Sequence, residues 1–278
     1  MQYRQLGEKG PEVSVITFGA WQIGDETFWG PKDEADAERA IAVALDHGIN
    51  LFDTAEIYGG GESERVLGRT LGSRRDSVLI ASKVSPDHCT PDALRRACED
   101  SLCRLRTDRI DLYQIHWPFR QVPFAEAWEV LRRLREEGKI RWIGLSNFGP
   151  MDIAHWFDAG ADAVSDQIGY NLLFRAPEYE IIPACRRYRL GVLVYMSLMQ
   201  GLLADRWETI EKIPMPRRRT RHFSGHREGT RHGEEGHERM LQETLEDLRE
   251  VARMLVLPMA VMALNWLLHQ PGVTSVIL

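Results

Sequence analysis

The chain has 278 residues, 44% of them hydrophobic and 27% charged, enough to bury one large core, and its length alone permits one domain or two. A formal net charge of −6 gives no global attraction to nucleic acid or to an anionic membrane surface, so small molecules are the expected partners. The N-terminal stretch lacks the basic and apolar regions of a secretory signal, and no run approaches the roughly 18 apolar residues of a membrane span. Cys89, Cys98, Cys103 and Cys185 form neither a C-x-x-C pair nor a disulfide framework, so a cytoplasmic protein with reduced thiols is expected.

Taken in chain order, residues 2–14 read as a β-hairpin around GEKGPE. Short apolar or β-branched runs follow as VSVITFG (13–19), NLFD (50–53), SVLIASK (77–83), RIDLYQIH (109–116), IRWIGLS (140–146), DAVSDQIG (162–169), GVLVYM (191–196) and VTSVIL (273–278). Amphipathic patterns between them predict helices over 35–47, 63–71, 91–104, 124–137, 150–158, 178–188, 238–255 and 258–269. Gly48, Gly138 and Gly160 stand where helices stop.

Strands alternating with helices argue a parallel sheet. No glycine-rich phosphate loop follows the first strand, so the prediction is an α/β protein of the (β/α)8 TIM-barrel class, with the hairpin capping its bottom. Residues 24–31 read as two turns. Residues 204–237 break the rhythm with sparse apolar residues and many Arg and His, which predicts a long loop on the catalytic face.

In a barrel enzyme the catalytic groups stand at the C-terminal ends of strands. Asp53 ends the second run, Tyr58 lies in the loop after it, Lys83 ends the third and His116 the fourth. One such residue alone is ordinarily a loop ion pair or a rim residue. Four together suit reduction of a carbonyl, which needs an acid for the developing alkoxide and a donor to stabilise its charge. Tyr58 is the expected acid, with Lys83 lowering its pKa, Asp53 holding Lys83 charged and His116 orienting the oxygen as a neutral donor.

Over essentially its whole length the sequence resembles the aldo-keto reductase family. The motifs that carry the resemblance are FGAWQIG (18–24), GINLFDTAEIYGGGESERVLGRTL (48–71), IASKV (80–84), RIDLYQIHWP (109–118), GKIRWIGLSNF (138–148), DQIGYNLL (166–173) and VYMSLMQGLL (194–203). The branch it looks most like contains bacterial general-stress reductases and potassium-channel β-subunits. The resemblance implies a single barrel domain over 1–278 and reduction of aldehydes or ketones with NADP(H), by direct hydride transfer with Tyr58 as proton donor. It assigns the nicotinamide carboxamide to Ser146, Asn147 and Gln167 and ring stacking to Tyr195. Gly19, Ala20, Trp21, Asp53, Met196, Ser197, Leu198, Gln200 and Gly201 complete the implied cofactor contacts, the last three toward the pyrophosphate. Trp21 and Trp117 would line the substrate pocket with Tyr58 and His116.

Two departures stand out. Met196 and Ser197 replace the usual Ser-Pro after the stacking tyrosine, and the residues given stop at Leu278, before the segment that in the family holds the adenosine 2′-phosphate. Weaker cofactor binding is therefore expected, with NAD(H) not excluded. A cofactor-sensing or scaffold subunit with little turnover is the alternative function. A Schiff-base lyase built on Lys83 would leave Ser146, Asn147 and Tyr195 without a purpose. Within 204–237, the basic stretch RRRTR (217–221) reads either as a lid reaching cofactor phosphates or as a solvated stretch. The spacing of His222, His226, His232 and His237 matches no standard metal-ligand set, so no metal is expected.

Overall fold

The structure is a computed structural model that describes residues 1–31, 33–218, 220–227, 230 and 232–278. Two compact units emerge: 1–170 with 174–195 and 270–278, and 171–173 with 196–269.

The first unit opens with strands β1 (Tyr3–Gln5) and β2 (Glu12–Ser14), an antiparallel hairpin in which Tyr3 faces Ser14. The expected run from residue 13 divides here: Val13 and Ser14 pair back onto the hairpin, and β3 (Ile16–Gly19) starts the barrel. Residues 24–31, expected as two turns, contribute instead to two single helical turns, α1 (Trp21–Gly24) and α2 (Glu26–Trp29), the second capped by Asp25, whose carboxylate accepts from Phe28 N. Helix α3 (Glu34–Asp46) is capped in the same way by Asp33.

The chain then alternates: β4 (Leu51–Asp53), α4 (Glu62–Leu71), β5 (Leu79–Val84), α5 (Pro91–Leu105), β6 (Ile110–Ile115), α6 (Phe124–Glu136), β7 (Ile140–Ser146), α7 (Pro150–Asp158), β8 (Ser165–Gly169), α8 (Ile181–Arg187) and β9 (Gly191–Tyr195). With β10 (Val273–Ile277), the parallel strands close in the order β10-β3-β4-β5-β6-β7-β8-β9, the expected eight-stranded barrel. Gly48, Gly138 and Gly160 all adopt φ +77°, the left-handed conformation that ends a helix without strain only at glycine.

The hairpin does plug the barrel's lower end. Leu6 and Val13, both fully buried, join Leu51, Ala81, Leu112, Val164 and Leu193 in one apolar cluster. Gly7 permits the approach: a Cβ there would stand 2.3 Å from the Val164 carbonyl oxygen.

In the second unit, residues 204–237, expected as a long loop, carry only short 3-10 turns among the described residues, yet they contribute to an apolar core. Ile210, Ile213 and Phe223 from that stretch are buried with Leu202 and Leu203, against Leu241 and Leu245 of α9 (Glu238–Met254) and Met259 and Ala263 of α10 (Met259–Leu268). Two of the arginines in that basic stretch have partners within the unit. Arg218 donates to the Ile213 and Glu211 carbonyls, and Arg221 pairs with Glu234; Arg219 lies outside the described residues. Among the described residues no single helix is long and apolar enough to cross a membrane, and no group of three or more His, Cys, Asp or Glu could hold a metal ion.

Candidate active site

Asp53 and Lys83 leave neighbouring strands at the same barrel end, because β4 and β5 pair with Asp53 opposite Ala81. Lys83 is fully buried and donates to Asp53 Oδ2 and to the Thr54 carbonyl, both at 2.7 Å, and to Tyr58 Oη at 3.3 Å. Asp53, 3% exposed, turns its other oxygen toward two side-chain amides, Gln167 Nε2 at 2.7 Å and Gln114 Nε2 at 3.3 Å. The buried carboxylate thus accepts from one cation and two neutral donors.

Tyr58 is held by glycine. Gly59, Gly60 and Gly61 follow it at φ +57°, +61° and +87°, and a Cβ on Gly59 would strike the Gly24 carbonyl oxygen at 1.9 Å. Two hydroxyls tie the segment to the first strand's loop: Thr54 Oγ1 lies 2.8 Å from Ser63 Oγ, which donates to the Ala20 carbonyl. Below this loop a buried Glu64 accepts from Ser82 Oγ at 2.5 Å and from Arg104 Nε at 2.6 Å. Sequence reasoning passed over Glu64 because a polar residue on an amphipathic helix ordinarily faces water, and Gln114 because it stands inside the apolar run of β6.

The half-buried ring of Tyr58 is enclosed by Trp21, stacked at 5.5 Å, by the edge of His116 at 5.6 Å and by the Lys83 ammonium at 4.9 Å. Trp21 donates its indole N–H to Asp25 and stacks on Phe28 at 4.7 Å, with Trp29 against it edge-on at 5.4 Å. Phe28 and Trp29 were not foreseen. Trp117, expected in the pocket, is half exposed.

Burial pushes the Tyr58 phenol up, and although Lys83 pulls it down, Asp53 pushes up again, so the net direction is upward. The expectation that Lys83 would bring Tyr58 toward neutrality is corrected: burial outweighs the lysine, and Asp53, 2.7 Å from the ammonium, cancels part of its field. Lys83 itself is pulled down by burial but raised overall by Asp53 and Tyr58. Burial, then Lys83, brings the His116 imidazole down to about 3, so it is neutral at physiological pH, as expected. Its Nδ1 is buried without a hydrogen-bond partner among the described residues.

Across the barrel, Ser146 Oγ donates to the Gln167 carbonyl at 3.0 Å. Asn147 sits at φ +61°, pinned by its own N–H to the same carbonyl at 2.9 Å, and its side-chain amide donates to Ser146 Oγ and the His116 carbonyl, both at 3.0 Å. Tyr195 donates its hydroxyl to Asn147 Oδ1 at 2.7 Å, and its ring lies over Gly169, where a Cβ would come within 3.2 Å of it. Gly19 and buried Ala20 line the rim beside Asp53, whose carbonyl accepts from Ala20 N.

Within the second unit, Met196, Met199, Gln200 and Gly201 all have positive φ, and Asn171 donates to the Met196 carbonyl at 3.0 Å. Ser197 is buried, Leu198 is half-buried, and Gln200 Oε1 is buried without a partner among the described residues.

Comparison with known proteins points the same way as this geometry. Aldo-keto reductase YhdN of Bacillus subtilis is 40% identical over 216 residues, which cover 74% of this chain and 65% of that protein, so the match spans a little under two thirds of the relative. Methylglyoxal reductase YeaE of Escherichia coli is 33% identical over 204 residues, 72% of this chain and 70% of that one. A crystal structure of an aldo/keto reductase from Klebsiella pneumoniae in complex with NADP and acetate superposes with a TM-score of 0.74 at 29% identity, covering 98% of this chain and 82% of that one. The model of the aldo/keto reductase family matches residues 15–278. A match that reaches from the first barrel strand to the last places this chain in the aldo/keto reductase family.

Proposed function

We propose that the chain is an NADP(H)-dependent oxidoreductase that reduces aldehydes or ketones to alcohols, with Tyr58 as the proton donor. The observation that carries this reading is the buried relay from Asp53 through Lys83 to the Tyr58 hydroxyl, at 2.7 and 3.3 Å. The Klebsiella relative, solved with NADP, supports the cofactor, and the Escherichia coli relative, a methylglyoxal reductase, supports a small carbonyl substrate. Because the family model spans 15–278, we read the two units as one functional domain.

The site's donors suit a nicotinamide. Ser146, Asn147 and Gln167 carry hydroxyl and amide groups of the kind that pair with a carboxamide, and the Tyr195 ring, which packs over Gly169 on one side, offers its other face for stacking. By family resemblance the pyrophosphate falls to Leu198, Gln200 and Gly201. The bound nicotinamide supplies the hydride.

The chain's own residues do the rest. His116, neutral, holds the substrate oxygen with a hydrogen bond and excludes water beside Trp21. Tyr58, kept as a phenol by burial, gives its proton to that oxygen as negative charge develops. The phenolate left behind faces the Lys83 ammonium at 3.3 Å, worth about 5 kcal/mol at an effective dielectric of about 20. Since this charge appears only as the proton leaves, the interaction favours the transition state over the ground state. Asp53 fixes the ammonium in place throughout.

Oxidation of NADPH by a generic aromatic aldehyde tests the proposal. Tyr58→Phe should lower the rate about 100-fold or more while NADPH still binds. Full activity in that variant would refute the assignment of the acid.

A further inference from the structure

We infer that Gln114 is a positioning residue for the proton-donating group, coupling Asp53 to the carboxamide-side Gln167. The inference rests on the reading of Asp53, Lys83 and Tyr58 given above. Leu112 of β6 lies in the lower apolar cluster and His116 follows the strand at the rim, so alternation points Gln114 between them into the barrel interior. Such a layer is ordinarily filled by branched aliphatic side chains.

A fully buried amide there must find its partners among interior polar groups. Gln114 finds two: its Nε2 donates to Asp53 Oδ1 at 3.3 Å, and its Oε1 accepts from Gln167 Nε2 at 3.5 Å. Gln167 in turn donates to the same Asp53 oxygen at 2.7 Å, which closes a triangle of two amides and one carboxylate oxygen. The neighbouring strand leaves room for the amide, since Gly144 of β7 pairs with Gln114 and a Cβ there would press to 2.9 Å from Gln114 Cγ.

The triangle decides which way the carboxylate faces. With Oδ1 held by two neutral donors, Oδ2 is directed at Lys83, and Lys83 at Tyr58. Neutral amides do this without competing for the ammonium's charge. The charged groups around Gln114 are Asp53 on β4, which it touches, and Lys83, its register partner on the neighbouring β5; Gln167, Gly144 and Leu112 carry none.

Two variants test the inference in the full chain. Gln114→Met keeps length and apolar packing but removes both polar contacts. It should lower kcat about 10-fold while the KM for the aldehyde stays within about two-fold. An unchanged kcat would overturn the inference.

Gln114→Glu keeps the shape and donates to Asp53 only while protonated. Its new carboxyl, followed by carbon-13 NMR without cofactor, should titrate well above the ordinary value of about 4.3, through burial and the neighbouring carboxylate. The kcat of this variant should fall as pH rises through that titration, a limb absent from the wild type. A carboxyl titrating at the ordinary value, or a wild-type pH profile, would overturn the inference even if Gln114→Met failed to fold. Failure of the parent reading shows elsewhere, as a wild-type chain that oxidises no NADPH with any aldehyde, and removes this inference with it.

Discussion

Replacing Lys83 with methionine isolates the energetics of the site from its chemistry. The ammonium is fully buried, 2.7 Å from Asp53 Oδ2, and the carboxylate is 3% exposed. At an effective dielectric of about 20, two unit charges at that separation attract by about 6 kcal/mol, against which stands the cost of desolvating both. Lys83→Met removes the attraction and leaves the desolvated carboxylate with only its two amide donors. The expected destabilisation is about 3–5 kcal/mol. Urea denaturation followed by circular dichroism measures it as a lower midpoint at unchanged m. Adding Asp53→Asn should recover more than half of that loss, since the neutral amide carbonyl still accepts from Gln114 and Gln167 and no charge remains uncompensated. A single variant that costs less than about 1 kcal/mol, or a double variant no more stable than the single one, would refute the account of a buried, mutually dependent pair.

Three further outcomes are expected. His116 is held down at about 3 against an ordinary 6.5, so the unfolded chain takes up the extra proton as pH falls below 6.5; stability then drops by about 1.4 kcal/mol per pH unit until the folded imidazole also titrates. A series of urea midpoints between pH 7 and 4 should show this slope, and His116→Asn should flatten it; parallel slopes would show that His116 is not buried neutral. Gly59→Ala, with its Cβ 1.9 Å from a carbonyl oxygen, should cost more than about 2 kcal/mol and most of the activity, whereas Gly60→Ala, with open space around it, should cost only the left-handed conformation, about 1 kcal/mol. Phe223→Ala should cost about 3–5 kcal/mol and expose the second unit to limited proteolysis, where cleavage no faster than wild type would contradict its placement in a core.

Much of the fold was legible because it is written in local chemistry. Each glycine that ends a helix and each strand-end ionisable residue lies within a few positions of the pattern that reveals it. The hairpin showed in the turn residues around Gly7 and Gly10, although where Val13 belongs depended on its pairing with Arg4. The core residues within 204–237 were hidden because Ile210, Ile213 and Phe223 are too widely spaced to form a period, yet converge on one core. Gln114 was hidden inside an apolar run, and nothing local distinguishes an amide that faces a carboxylate from one that faces water. The direction of the Tyr58 shift was equally unreadable: sequence reveals the neighbouring lysine, but how completely the ring is desolvated is a property of the packed barrel.

The seam of the barrel carries a consequence for how the protein is made. Strand β10 closes against β3, with Val276 opposite Ile16, and across it Thr17 and Ser275 share a buried hydroxyl contact 258 residues apart in sequence. At a synthesis rate of roughly 5–20 residues per second, some 13–50 seconds separate the appearance of the two edges. Through that interval the ribosome carries a sheet whose first edge is unpaired, with Asp53, Lys83 and His116 already translated but the ring that shields them still open. The native contacts that cover that edge come into force only once both ends of the barrel exist.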